Sequence, residues 1–194
     1  MTSFGQQKPN VLNEALLGSF HAASYADESN NGERVHVAGF GFEYRKNIDS
    51  LSSRFNLCLG VGLETVPLRR NRDNDDYFRN THINLTLPIG IYYQIAETYF
   101  IGFYASMDFP LASAEKSRFN GVEFSNNEFD FRFLNINFSG GVNVLKTYVI
   151  GDKQFIVEVH AKALGLLGLK DNDYWHYPED SVPCYFGLRL GYGF

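Results

Sequence analysis

Ionisable side chains recur at alternate positions within otherwise apolar stretches of this chain: Glu43 and Arg45, Glu64, Glu158, His160 and Lys162, and Arg189. Carboxylates and cations at i, i+2 spacing on a strand point the same way. Such a set fits one of two arrangements. The groups pair with one another in a buried plug, because an unpaired charge away from water is very costly; or they line a gated path for ions. Carboxylates and cations balance at three each, which suits internal pairing. Histidine adds the prospect of acid–base or metal chemistry. However, His21, His36, His82, His160 and His176 are scattered, and no two have the HxxxH spacing of a metal site.

Other candidate motifs are incomplete. Asp27, Ser29, Asn31 and Gly32 match the first half of a calcium loop, but its twelfth position is Ala38 instead of a bidentate glutamate. Asn31-Gly32 reads better as a hairpin turn. Asp73, Asp75 and Asp76 lie beside Arg69, Arg70 and Arg72, so these charges either neutralise one another or leave the arginines free for lipid phosphates. Gly60-x-Gly62 is followed by Thr65 where a dinucleotide fingerprint needs glycine. Neither a metal site nor a cofactor is expected. Cys58 and Cys184 fall on segments that should not be neighbours, so both are expected to be free thiols.

The segments that carry the ionisable residues have a period of two. Ala38, Phe40, Phe42 and Tyr44 alternate with Gly39, Gly41, Glu43 and Arg45. Phe55, Leu57, Leu59, Val61 and Leu63 alternate with Asn56, Cys58, Gly60, Gly62 and Glu64; Ile83 to Tyr93 and Tyr99 to Phe109 repeat the pattern. So do the stretches Leu134–Gly141, Phe155–Ala163 and Tyr185–Phe194, while Leu12–Tyr25 carries a blurred version. Alternation of this kind predicts eight half-apolar strands. One face is bulky and almost free of polar atoms. The other is built from Gly, Asn, Ser, Thr and the charges above, with the glycines giving room in a crowded interior. That distribution suits an apolar face turned outward to lipid.

Composition agrees. The chain has 194 residues, a net charge of −5, eighteen Phe, twelve Tyr and eighteen Gly, yet a mean hydropathy of only −0.23. It lacks the 18-residue apolar run of a membrane helix and the basic stripe of a nucleic-acid binder. Connections alternate: long at about 26–34, 66–82, 112–128 and 168–182, short at Asn47–Arg54, Ala96–Thr98 and Thr147–Gln154. Short periplasmic turns and long extracellular loops have this order in outer-membrane barrels. Both termini then lie on the periplasmic side. Tyr44, Phe55, Tyr93, Tyr99, Phe155 and Tyr192 cluster at the short-turn ends of the apolar face, with Phe109, Phe129, Phe131 and Phe133 at the other ends and Tyr174, Trp175 and Tyr177 beyond. Strand propensity accounts for the abundance of aromatic residues; an interfacial girdle accounts for their placement.

The final FGLRLGYGF resembles the closing strand of an outer-membrane β-barrel, and MTSFGQQKPN resembles the end of a Bacteroidetes-type signal peptide cut before Gln. From about Leu12 to Phe194 the chain is similar to small barrels of the OmpA/OmpX kind, nearest the Bacteroidetes outer-membrane barrel families. That resemblance implies an all-β, eight-stranded, antiparallel, up-and-down transmembrane barrel over residues 11–194, preceded by a tail, 1–10. It implies partners in outer-membrane lipid and lipopolysaccharide, in the barrel-assembly machinery that reads the terminal Phe194, and in other outer-membrane proteins. The anchoring role of two-domain OmpA proteins is not expected. The leading function is a non-catalytic structural or accessory protein in a larger outer-membrane complex, with the stretch around 112–128, bearing Phe119 and Phe124, as its docking surface. The alternatives are an enzyme that modifies lipid A, since a triad is defined by geometry and not by sequence order, and a soluble lipocalin-like carrier.

Overall fold

The computed structural model describes residues 13–27, 33–49, 54–71, 77–128, 136–163 and 184–194. They form β1 (Glu14–Asp27), β2 (Glu33–Asp49), β3 (Phe55–Asn71), β4 (Tyr77–Ala96), β5 (Tyr99–Phe119), β6 (Val122–Glu128), β7 (Asn137–Ile150), β8 (Lys153–Ala163) and β9 (Cys184–Gly193). Every pairing is antiparallel. β1 through β5, then β7, β8 and β9, follow one another around a ring, and β9 pairs back onto β1. The fold is a closed, eight-stranded, up-and-down barrel. Closure leaves the ring without a free edge, which settles where the backbone donors and acceptors of eight strands go. The seam includes Phe194, whose N–H donates to the Glu14 carbonyl at 3.0 Å.

Side chains alternate around this ring with the bulky set outward. Phe42 is 70% exposed, Phe186 65% and Phe103 64%, whereas Glu158, Asn84 and Asp108 are fully buried. The interior is narrow enough to need glycine in its wall. A methyl group added at Gly102 would meet the Tyr92 ring at 2.7 Å as well as the Asn143 amide, so this position admits no side chain while Tyr92 fills the bore. Pro88 also faces inward. It has no N–H to give, and the β3–β4 register passes from Leu59↔Ile89 to Gly62↔Thr86 without pairing the residues between.

The stretches 66–82 and 112–128, read from sequence as long loops, are largely strand. β3 and β4 stay paired as far as Asn71↔Tyr77, and β4 and β5 as far as Tyr77↔Arg118. β5 then turns through Asn120-Gly121, both at positive φ, into β6, giving the two-residue hairpin that Asn-Gly favours. A four-stranded wing of β3, β4, β5 and β6 therefore continues past the ring. Two devices separate it from the barrel. β5 carries a bulge at Leu111, next to Pro110, between the pairs Asn84↔Pro110 and Ile83↔Ala112. β3 parts from β2 after Gly41↔Glu64, and there the Thr65 hydroxyl takes over from the ladder, accepting from the Phe40 N–H at 2.9 Å and donating to the Phe40 carbonyl at 3.1 Å. Alternation of apolar and polar residues fades in the wing. The connection 168–182, most of the calcium-like loop (Ser29, Asn31, Gly32) and the acidic run 73–76 lie outside the described residues.

Candidate functional site

Glu43, Arg45, Glu64, Glu158, His160, Lys162 and Arg189, singled out from the sequence, sit in the lumen. At the end that carries the short turns, Ala15, Leu17, Cys58, Tyr92, Phe100, Leu145 and Ile156 close the bore with side chains at most 2% exposed. Next along the strands comes a ring of four charges. Arg45 donates from Nε to Glu43 at 2.7 Å and from Nη1 to Glu158 at 2.6 Å. Arg189 donates to the other Glu158 oxygen at 2.6 Å and lies 3.6 Å from Glu43. Tyrosine rings flank both guanidiniums: Tyr92 lies 5.1 Å from Arg45 and Tyr104 lies 5.4 Å from Arg189. Tyr92 is held in turn by a hydrogen bond from the Asn143 amide at 3.0 Å.

Beyond the ring, Lys162 pairs with Glu64 and, at 3.2 Å, with Asp108. Asp108 also accepts from the Ser106 and Ser139 hydroxyls at 2.7 and 2.6 Å. The last polar layer is His21, which donates from Nε2 to the Thr65 carbonyl at 2.8 Å and meets the Tyr185 ring edge-on at 5.4 Å. Tyr185 donates its hydroxyl proton to the Pro67 carbonyl at 2.9 Å. Ala23, Val37 and Val66 pack around it.

Strand register explains why these groups meet. Glu158 stands opposite Arg189 on β9, and Glu43 and Arg45 are successive inward positions of β2. All four point into one bore, where leaving any of them unpaired would cost far more than an ordinary hydrogen bond returns. Asp108 was on the inward row of its strand but not among the charges counted from sequence. With it, the described lumen holds one carboxylate more than it holds cations, so the even balance read from sequence does not stand. The chain separation between Asp108 and Lys162 hides that pair from any local pattern.

Acid–base chemistry on a bound molecule needs a cleft. The cavities beside the charges are about 10 Å³ each, room for roughly one water. His21, His82 and His160 are buried in this filled interior, His36 is exposed on the outer wall, and His176 lies outside the described residues. Cys58 is buried, Cys184 is exposed, and both are free; β3 and β9 are not adjacent in the ring.

The aromatic candidates lie on the outer wall near the short turns. Phe55 and Tyr93 face each other across β3 and β4 with ring centroids 4.8 Å apart; Phe155 and Tyr192 do so across β8 and β9 at 5.9 Å. Tyr192 stacks on Phe194 at 6.3 Å. Tyr44 and Tyr99 occupy the same rim, where the Lys146 ammonium sits between the Tyr99 and Tyr148 rings at 4.8 and 4.7 Å. Lys46 pairs with Glu14 at 2.8 Å, and Arg54 donates to the Tyr93 hydroxyl at 3.3 Å. Tyr148 and Lys146 were not singled out from sequence. Tyr148 faces Phe155 across β7 and β8, so pairing register is the signal that finds it. At the opposite rim Phe109 is described, whereas Phe129, Phe131, Phe133, Tyr174, Trp175 and Tyr177 lie outside the described residues.

No protein-family model and no curated protein matches this chain. Among solved structures it is similar to Ail, the attachment invasion locus protein of Yersinia pestis, at 13% identity over 93% of this chain and 97% of that one, with a TM-score of 0.49. It is similar to the N-terminal β-barrel domain of Pseudomonas aeruginosa OprF at 10% identity over 94% and 98%, TM-score 0.43. It is also similar to Neisserial surface protein A at 8% identity over 92% and 94%, TM-score 0.44.

Proposed function

We propose that this chain is a non-catalytic barrel of the bacterial outer membrane, plugged along its axis, serving as an accessory subunit of a larger outer-membrane complex. The observation that carries this reading is the inverted distribution of side chains: a continuous outer wall of exposed Phe, Leu, Ile and Val around an interior of buried ion pairs. A soluble carrier needs the reverse, an apolar cavity inside and a polar wall outside. On β4 the outward apolar row runs from Ile83 to Tyr93, ten residue steps, or about 34 Å along a strand at 3.4 Å per residue. Tilted at about 40°, that length covers an apolar band about 25 Å tall. The termini and short turns are then periplasmic and the wing extracellular. Phe194 serves as the assembly signal, and the rim aromatics as the interfacial girdle. We take the chain to belong with Bacteroidetes-type barrels on the strength of its MTSFGQQKPN start and FGLRLGYGF end.

The docking part of the proposal rests on the hairpin of β5 and β6. Among the described residues β6 pairs only with β5, and Phe119, Val122 and Phe124 stand exposed near its tip. Membrane fractionation tests the first claim: the chain should stay with the outer membrane and leave it only in detergent, and recovery in plain buffer would overturn the assignment. For the second, the protein gently extracted from native membrane should carry a fixed outer-membrane partner that is lost when residues 117–124 are trimmed. A chain recovered alone would overturn the subunit role.

A further inference from the structure

We propose that the lumen holds a site for one small monovalent cation, with sodium as the reference ion, between Glu64, Asp108 and the side-chain amide of Asn84. The first ground is charge. The ring of Glu43, Arg45, Glu158 and Arg189 is neutral in itself, and all four residues are at most 8% exposed. The layer beyond it is not neutral: among the described residues, Glu64 and Asp108 share the single ammonium of Lys162. Asp108 is fully buried and the Glu64 side chain is 12% exposed, so bulk water screens little of the surplus. An uncompensated carboxylate in such a place costs far more than an ordinary polar contact returns. The surplus is one negative charge, and it calls for one positive charge.

The second ground is Asn84. It is 0% exposed, and neither its amide oxygen nor its amide nitrogen has a hydrogen-bond partner. Register sets it between the two carboxylates. It stands directly opposite Glu64 on β3, and the next inward position of β4, Thr86, stands directly opposite Asp108 on β5. A cavity of about 10 Å³ lies here, with Glu64, Thr86, Ser106 and Lys162 in its lining. That is room for roughly one water, and an unhydrated sodium ion is smaller. Hard cations take oxygen ligands, and this wall offers carboxylate, amide and hydroxyl oxygens. A single charge suits it better than a double one. Lys162 already occupies the layer, and the described residues include no group of three or more His, Cys, Asp and Glu placed to hold a metal ion. A proton on His160 is a poorer answer, because its Nδ1 has no acceptor and Lys162 is the next inward residue on the same strand. No local spacing marks the site, since its residues come from three strands.

The full chain, folded in phosphatidylcholine vesicles, is heated in sodium chloride and in choline chloride at the same ionic strength, about 0.1 M; the thermal midpoint of the folded band is read in each. A ligand that binds only the folded chain raises the midpoint, and by more as its concentration grows. Sodium should therefore raise the midpoint by a few degrees over choline, which is too large for the cavity. Glu64→Gln removes the surplus charge and should abolish the difference, and Asn84→Ala should lose at least half of it. Glu14→Gln, on the exposed rim, should keep all of it. Equal wild-type midpoints in the two salts, or an undiminished difference in either Glu64→Gln or Asn84→Ala, overturn the site. A midpoint that follows pH between about 5 and 8 but ignores the choice of cation assigns the charge to a proton on His21, His160, Glu64 or Asp108, and that also overturns the site.

Discussion

Glu158 accepts from two guanidiniums at once, and its removal leaves both short of their counter-charge in a place water barely reaches. Breaking a buried pair on one side costs about 3–5 kcal/mol, because the orphaned charge keeps its desolvation penalty. Here Glu43 remains within reach of both Arg45 and Arg189. Glu158→Gln should therefore destabilise the barrel by about 3 kcal/mol, at the low end of that range, read as a shift in urea unfolding from vesicles. A loss below about 1 kcal/mol would mean the ring is solvated. The pair of Glu14 with Lys46 is the contrasting case. It lies on the exposed rim, and Glu14→Gln should leave the same unfolding curve unchanged. Both pairs involve a carboxylate and a cation at under 3 Å. Burial separates them, together with the second guanidinium that Glu158 holds.

Depth along a strand is the variable that matters for an element. Leu87 sits midway along the outward row of β4, and Leu87→Arg should cost about 2–4 kcal/mol if that row spans a bilayer. Thr81 is on the same row above Ile83, and Thr81→Arg should cost about 0–1 kcal/mol in the same vesicles. Equal penalties at the two positions would remove the apolar belt from the argument. The belt is also what made the barrel legible in sequence. Between Ile83 and Tyr93 the two faces meet different media, so selection writes period two into the residues. In the wing, Ser113–Phe119, Val122–Glu128 and Leu68–Asn71 remain paired strand, but no alternation of apolar and polar residues marks them. The hairpin there was announced only by Asn120-Gly121. The lumen was half legible for a related reason. Inward position is local information, and it found Glu43, Arg45, Glu158, Lys162 and Arg189. Which carboxylate meets which cation depends on register across the ring, so the Asp108–Lys162 pair and the Tyr92 and Tyr104 flanks came only with the structure.

A closed ring of eight strands has an interior that side chains can fill, and whether it conducts depends on whether any layer leaves a continuous wet path. Two kinds of layer stop one here. The charge ring spans the bore, with Glu158 bridging Arg45 and Arg189 and a tyrosine ring against each guanidinium. Between it and the short-turn end lies an apolar stopper in which Leu145 and Ile156 are at most 1% exposed. An ion crossing would have to break the first and shed its water in the second, and the cavities on either side of the charge ring hold about one water each. The purified barrel in a planar bilayer should therefore show no stepwise current. Cutting back the stopper with L17A/F100A should still show none, because the ion pairs above it remain, whereas adding Glu158→Gln to that pair should admit intermittent current. Resolved steps from the wild-type barrel would show that the plug opens at rest, and the gated path would replace it.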